Sequence, residues 1–193
     1  MTKCREIFEQ FLDIHNEECL REVEAVARVR QYRRKDYFIR AGEKQSELPF
    51  LYSGSVRGYF VDDAGKSHCD CIEASFGYPV TASTEIERLL QPSDIYIEAM
   101  EDSEAVCIPM TTIIHIIMTY PEVAEAVNRI VRIAFDHHRQ MQLMLSYPLK
   151  QRYQTFCTMY PGLADRLSYA QIAACLNVSP SALSRALGEA SQE

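Results

Sequence analysis

The chain has 193 residues, 47% of them hydrophobic, which is enough for a buried core in one large domain or two smaller ones and excludes a mainly disordered protein. The formal net charge of -7 excludes a protein coated in positive surface. Residues 149–193 alone carry four Lys and Arg against three Asp and Glu, so only this piece is a candidate for binding a polyanion, with modest nonspecific attraction.

No segment contains the roughly 18 consecutive apolar residues that span a bilayer. We therefore expect a cytoplasmic protein with no membrane partner. The seven cysteines are an odd number and are scattered along the chain. This pattern is typical of reduced thiols rather than of a disulfide framework.

The first part of the chain changes from a helical to a strand-like pattern. Apolar residues recur at helical spacing over residues 5–29, with an interruption near His15 and Asn16, which predicts two helices. From residue 30 to residue 109, short β-rich runs alternate with turns and predict a small antiparallel barrel or roll. The runs are 37–39, 50–52, 56–61, 69–72, 95–97 and 105–108.

Pro121 opens a long helix that runs to about Ser146, where Tyr147 and Pro148 end it and begin a hinge. Apolar residues spaced by three and four along it predict a coiled-coil-like seam that pairs with its twin in a homodimer. The seam consists of Val123, Val127, Ile130, Ala134, His137, Met141 and Met144. A second apolar edge, Ile133 and Leu143, is left to pack on the roll. The alternative is a helix that packs only on its own roll.

After a further helix at 151–160 and a turn at Pro161 and Gly162, residues 167–188 predict two short helices separated by a turn. Ser168 is suited to cap the first, Asn177 to end it in the left-handed conformation, and Ser179 to cap the second. This geometry fits a DNA major groove. A plain helical hairpin is the alternative, because the apolar spacing is common to both.

The order of these parts resembles the cyclic-AMP receptor protein and fumarate-nitrate regulator (Crp-Fnr) family of bacterial transcription factors over essentially the whole chain. Local matches are Ile39-Arg40-Ala41-Gly42-Glu43, Leu51-Tyr52-Ser53-Gly54-Ser55-Val56-Arg57, Ala99-Met100-Glu101-Asp102-Ser103-Glu104 and Lys150-Gln151-Arg152-Tyr153.

The resemblance implies an α+β fold: an N-terminal double-stranded β-helix (a jelly roll of the cyclic-nucleotide-binding type), a long dimerisation helix and a C-terminal helix-turn-helix domain. The effector-sensing roll and long helix would span 1–146 and the DNA-binding domain 147–193. The implied partners are a second copy of the chain and double-stranded DNA, with RNA polymerase and an unidentified small-molecule effector as further candidates. The two recognition helices would read half-sites about 34 Å apart.

The nucleotide-binding residues of the family are missing here. The Phe-Gly-Glu segment, whose Glu holds the ribose, reads Phe76-Gly77-Tyr78. The later Arg and small polar residue that hold the cyclic phosphate align with Ser93 and Asp94. A buried anion without a cationic partner is strongly disfavoured, so we expect no binding of cyclic AMP.

The resemblance places His137 and His138 opposite Tyr78, Thr81 and Asp94, a polar cluster able to respond to pH or to a ligand. The alternative is that His137 belongs to the seam and that His138 is solvated. The predicted effector pocket therefore comprises Gly77, Tyr78, Thr81, Ser93, Asp94, His137 and His138.

Metal and cofactor binding is not expected. An iron-sulfur cluster of the family type needs closely spaced N-terminal cysteines, and only Cys4 and Cys19 are there. Cys69 and Cys71 are expected on one face of a strand, with His68 and Asp70 on the other, so no three of these four side chains are expected to converge on one metal. Haem binding needs only one axial histidine, and the sequence neither indicates nor excludes it.

The second of the two short helices presents a DNA-facing edge of small and hydrogen-bonding side chains, Ser181, Ala182, Ser184 and Arg185. Relatives that read guanine carry Arg and Glu where this chain has Pro180 and Ser181, so Arg185 is the strongest candidate for a bidentate guanine contact. Expected phosphate contacts are Ser168, Tyr169, Gln171 and Ser179. Since few residues follow the second helix, the β-wing of some relatives is expected to be absent or reduced, and Lys150, Arg152 and Arg166 would then supply affinity for the DNA backbone.

The sequence therefore favours a homodimeric, sequence-specific transcription regulator. A ligand- or protein-binding module of the same fold without DNA binding is the alternative, favoured by the weak positive charge and Pro180. An enzyme is not expected, because the chain contains none of the usual phosphate-loop, nucleophile-elbow, zinc-helix or dinucleotide motifs. The effector, the operator, and activation as opposed to repression are not predicted.

Overall fold

The computed structural model describes residues 1–83 and 91–188. Two N-terminal helices, α1 (Lys3–Gln10) and α2 (Glu17–Val26), begin after Thr2 and Asn16. The side chains of these two residues accept hydrogen bonds from backbone N–H groups of the first turn, which is the usual way to start a helix. The predicted helix pair and its interruption near Asn16 are confirmed.

In the described residues, seven strands form two antiparallel sheets, ordered β1-β7-β3 and β2-β6-β4-β5. Strand β5 therefore lies at an edge. All six predicted runs correspond to strands, and the run 95–97 begins one residue before its strand. The strands are β1 (Arg28–Tyr32), β2 (Tyr37–Ile39), β3 (Glu47–Ser53), β4 (Val56–Val61), β5 (Ser67–Glu73), β6 (Tyr96–Ala99) and β7 (Ser103–Pro109).

Strand β1 and the helix α3 (Met110–Thr119) are not predicted by the sequence pattern. The first four residues of β1 are exposed, so this edge strand shows no apolar alternation. Helix α3 is rich in Thr and Ile, which favour strands. Its burial of Met110, Ile113 and Ile116 against the N-terminal helices overrides that local preference.

Helix α4 (Pro121–Ser146) has the predicted bounds, with proline in its first turn and Tyr147 extended at its end. The predicted seam is turned toward the interior of the same molecule. Ile133 and Leu143 are each 45% exposed, so the expectation that they pack on the roll is wrong. The seam residues are buried or half-buried: Val123, Val127, Ile130, Ala134, His137, Met141 and Met144.

Four helices complete the described chain: α5 (Leu149–Met159), α6 (Leu163–Arg166), α7 (Tyr169–Cys175) and α8 (Pro180–Gly188). Their apolar side chains share one core with Ile72 and Met100 of the roll and with Met141 and Met144 of α4. Residues 189–193 of the predicted DNA-binding domain lie outside the described residues. The C-terminal helices are therefore packed on the roll rather than separated from it.

Among the described helices, none is long and apolar enough to cross a membrane.

Candidate functional site

Helices α7 and α8 are built by the capping signals that the sequence predicts. The Ser168 hydroxyl accepts a hydrogen bond from the Gln171 backbone N–H, and the Gln171 side chain accepts one from the Ser168 N–H, which is a complete capping box. Asn177 ends α7 with φ of +56°. The Ser179 hydroxyl accepts from the Ala182 N–H at the start of α8. The two short helices and their turn are confirmed.

The predicted base-reading edge of α8 faces away from the core. Leu183 is fully buried, whereas Ser181, Ser184 and Arg185 are exposed and Ala182 is half-buried. Of the predicted phosphate contacts, the exposed ones are Ser168, Tyr169 and Ser179. These side chains are accessible in a single copy of the chain, and their DNA contacts remain a prediction.

Three other side chains that were predicted to contact the DNA backbone form hydrogen bonds or ion pairs within the chain. The Gln171 side-chain amide donates to the Met100 carbonyl. Arg166 pairs with Glu101, with 3.3 Å between its guanidinium nitrogen and the carboxylate oxygen. The Arg152 guanidinium donates to the carbonyl oxygens of Tyr147 and Leu176. Lys150 is exposed.

The turn between α7 and α8 is bound to the edge of the roll. The Cys69 backbone N–H of β5 donates to Asn177 Oδ1 at 2.6 Å, and Asn177 Nδ2 donates back to the Cys69 carbonyl at 3.4 Å. The amide thus pairs with both backbone groups of an edge residue, as a neighbouring strand would. Cys175 adds a contact of 3.6 Å between its thiol and the Met100 sulfur.

A cavity of about 420 Å³ lies between the roll and α4. Four of the seven predicted pocket residues line it together: Tyr78, Thr81, His137 and His138. The size suits a small molecule. An effector role for these residues remains a prediction.

The other three predicted residues are not among the described lining. Gly77 packs beneath the Phe11 ring, which leaves no room for a side chain. The Ser93 hydroxyl is bonded to the backbone N–H and carbonyl of Ile95. Asp94 is exposed, although its charge contributes to raising the pKa of Asp70.

Asp70 and Glu73 also line the cavity and were missed by the sequence reasoning. The pairing of β4 with β5 skips Asp70, because Gly58 pairs with Cys71 and Tyr59 with Cys69. This bulge breaks the alternation of side chains, so the expectation that Cys69 and Cys71 share a face is wrong. Burial is the main cause that raises the pKa of Asp70.

His137 connects the cavity to the C-terminal helices. Its Nε2 lies 2.7 Å from the hydroxyl of buried Tyr160, and its Nδ1 lies 3.9 Å from the carboxylate of Glu73. Burial lowers the pKa of His137, against the opposing effect of Glu73, and burial raises the pKa of Tyr160. These shifts favour a neutral imidazole and a protonated phenol. In the tautomer that carries its proton on Nδ1, on the side of Glu73, the Tyr160 hydroxyl donates to Nε2.

Glu73 is itself fixed, because one carboxylate oxygen accepts hydrogen bonds from the backbone N–H groups of Ala74 and Ser75. Among the described residues, no three His, Cys, Asp or Glu side chains are placed to hold a metal ion.

One edge of α4 beside the cavity remains uncovered. Phe135, at its centre, is 72% exposed. Neighbouring positions spaced by three and four residues continue this edge in both directions, which is the spacing of a coiled-coil seam. We call it the Phe135 edge; it comprises Asn128, Val131, Phe135, His138, Gln142 and Leu145.

Two antiparallel sheets, a 26-residue helix along them and a capped pair of short helices at the C-terminal end form an architecture that is also found in solved structures. A protein of Eubacterium rectale assigned to the crp/fnr family of transcriptional regulators is similar with a TM-score of 0.77 and 17% identity, over 95% of this chain and 87% of that one.

FixK2 of Bradyrhizobium japonicum is similar with a TM-score of 0.68 and 17% identity, over 85% of this chain and 84% of that one. The c-di-GMP-responsive global regulator CLP of Xanthomonas campestris has a TM-score of 0.69 and 15% identity, over 92% of each chain. No protein-family model matches the chain, and no curated protein matches its sequence. The predicted resemblance is confirmed for the fold. The expectation that the chain is not an enzyme agrees with two of these neighbours, the Eubacterium rectale protein and CLP, which are described as regulators.

Proposed function

We propose that the chain is a cytoplasmic, homodimeric, sequence-specific DNA-binding transcription regulator, with a double-stranded β-helix sensor domain and a helix-turn-helix. The observation that carries the proposal is the exposed edge of α8, with Arg185 among small hydroxyl side chains on a helix fixed by buried Leu183. Small side chains allow the backbone to approach base edges, and a guanidinium matches the two acceptors of guanine.

The cavity supports an effector other than cyclic AMP. Two carboxylates, Asp70 and Glu73, line it, and none of its described lining residues is Lys or Arg. A phosphate there would meet these carboxylates, and no Lys or Arg of the described lining would offset them, which is unfavourable. A small molecule with a positive charge or several hydrogen-bond donors suits this lining, and no cofactor is proposed. Binding calorimetry with cyclic AMP tests this part, since micromolar affinity would contradict it.

The Phe135 edge is the proposed dimer surface, in place of the seam that the sequence predicts. Four of its six residues, Asn128, Phe135, His138 and Gln142, are exposed. The edge has seam spacing and continues the wall of the cavity through Val131, Phe135 and His138. A second copy on this edge would run its α4 beside the first. Both pairs of C-terminal helices would then extend from the same end of the dimer, as operator binding requires.

The test is a selection of duplexes from a random-sequence pool by the purified protein, followed by affinity measurements on the enriched sequence. Arg185→Ala should weaken binding by about 1–3 kcal/mol per half-site and relax the preference at one base position. Arg21→Ala is the matched control, because Arg21 is exposed on α2, far along the chain from α8. Unchanged affinity and base preference with Arg185→Ala would refute the assignment of the reading helix.

The second candidate is a binding module of the same fold that does not bind DNA. The engagement of Gln171, Arg152 and Arg166 within the chain favours it, because these groups are then withheld from a phosphate backbone. A selection that enriches no sequence would support this candidate.

A further inference from the structure

We infer that Tyr160 and Asn177 are positioning residues that hold the C-terminal helices on the roll, in a self-blocked arrangement in which the roll engages groups predicted to contact DNA. A ligand in the cavity would release these helices by breaking the hydrogen bond between Tyr160 and His137. The part concerning DNA rests on the proposed function. The part concerning the position of the helices does not.

The first step is that one side chain belongs to both regions. His137 lines the cavity, and its Nε2 lies 2.7 Å from the Tyr160 hydroxyl. The two rings also meet edge to face, with centroids 5.6 Å apart. A ligand that bonds to Nε2 or turns the imidazole therefore competes directly with Tyr160.

The second step is that Tyr160 anchors the C-terminal helices. It lies at the end of α5, is 7% exposed, and packs on fully buried Phe156 with ring centroids 5.3 Å apart. Losing the partner of a buried hydroxyl costs more than the bond itself contributes, because the group remains desolvated. Displacement of the Tyr160 hydroxyl from His137 thus favours movement of α5 away from α4.

The third step is that the packed arrangement engages side chains that are predicted to contact DNA. Met100 and Glu101 form the turn between β6 and β7, and they engage Gln171 and Arg166 respectively. Both side chains are predicted contacts of the DNA backbone. Asn177 holds the turn that leads into α8 against Cys69 of β5. Two of the contacts that fix these helices on the roll, those of Gln171 and Arg166, are therefore made by groups that DNA would otherwise engage.

The consequence is a competition between the roll and DNA for the same side chains. A ligand that displaces Tyr160 from His137 weakens the packed arrangement, frees Gln171 and Arg166, and raises DNA affinity. By linkage, DNA raises the affinity for that ligand by the same factor.

The test uses the full chain and two conservative variants, each of which removes one hydrogen-bonding group. Tyr160→Phe removes the hydroxyl and keeps the buried ring. Asn177→Gly removes the amide, and glycine accepts the positive φ of this position. Tyr153→Phe is the matched control, because it removes a hydroxyl from the same helix at a half-buried position that is not among the described residues of the cavity wall.

Hydrogen exchange measured by mass spectrometry reports the position of the helices without any DNA. Tyr160→Phe and Asn177→Gly should each speed exchange in β5 and in α5 to α8 by about threefold to tenfold, the effect of one lost hydrogen bond. Exchange in β3 and β7 should not change, whereas a general loss of stability would speed it as well. Tyr153→Phe should behave as the unmodified protein. Unchanged exchange in β5 and the C-terminal helices would overturn the positioning role.

Affinity for the selected duplex is the second measurement. Both variants should bind it about threefold to tenfold more tightly than the unmodified protein. Faster exchange with weaker or equal DNA binding would overturn the self-blocked arrangement while leaving the positioning role intact. Faster exchange in a chain that selects no duplex at all would count against the proposed function and not against the positioning residues.

Discussion

Truncation of Phe135 gives the sharpest test of the dimer surface. Full burial of a Phe side chain stabilises by about 1.5–3 kcal/mol. Because 72% of Phe135 is still exposed in the single chain, Phe135→Ala should remove about 1–2 kcal/mol per protomer. A symmetric interface uses the residue twice, so the dimer should lose about 2–4 kcal/mol, which corresponds to a dissociation constant raised about 30-fold to 1000-fold.

Sedimentation equilibrium over a range of protein concentrations measures this constant directly. Met118→Ala is the control, because Met118 is 83% exposed on α3, off the proposed surface, and its truncation should leave the dimer unchanged. The reasoning would be refuted if Phe135→Ala dimerised like the unmodified protein. Weakening by Ile133→Ala or Leu143→Ala instead would assign the interface to the other exposed edge of α4.

Two further predictions concern stability. In urea unfolding, Gly54→Ala should destabilise the protein more than Gly65→Ala does. Both residues have positive φ, so a side chain costs about 1–2 kcal/mol at either position. A Cβ at Gly54 would also lie 2.1 Å from the Ser103 hydroxyl oxygen, whereas Gly65 is in open space. Equal losses would show that the turn at Gly54 can shift. Burial lowers the pKa of His137 in the folded state despite the nearby carboxylate of Glu73, so the unfolded chain takes up this proton first as the pH falls below 6.5. The stabilisation that depends on a neutral His137 is thus present above that pH and is lost below it, and His137→Asn should flatten the fall in unfolding free energy between pH 7 and pH 5.5. An unaltered pH dependence would assign the loss to other groups.

The sequence predicts well the features that are set by neighbouring residues. Ser168 and Ser179 cap their helices because a hydroxyl reaches the N–H groups of the next turn, whatever the tertiary structure. Pro121 and the Tyr147-Pro148 step likewise set the bounds of α4. Asn177 takes the left-handed conformation for the same local reason.

Features that depend on distant contacts are predicted less well. Spacing identifies an amphipathic helix, but it does not decide which of several apolar edges meets the roll. The sequence therefore did not predict that Ile133 and Leu143 are exposed in the single chain, or that Phe135 lies on an exposed edge. The bulge at Asp70 arises from the pairing of two strands and has no signature in the alternating pattern. Tyr160 gives no signal either, because its partner His137 is 23 residues away on another helix.

The binding of Asn177 to Cys69 has a consequence for the behaviour of the protein in concentrated solution. Strand β5 ends its sheet, and an uncovered sheet edge is a template on which a strand of another molecule can add. The side-chain amide occupies the N–H and carbonyl of that edge at one residue, and α7 covers the strand beside it. Any movement of the C-terminal helices away from the roll therefore also exposes the edge of β5 to strand pairing between molecules. The released form should be more prone to aggregation than the packed one.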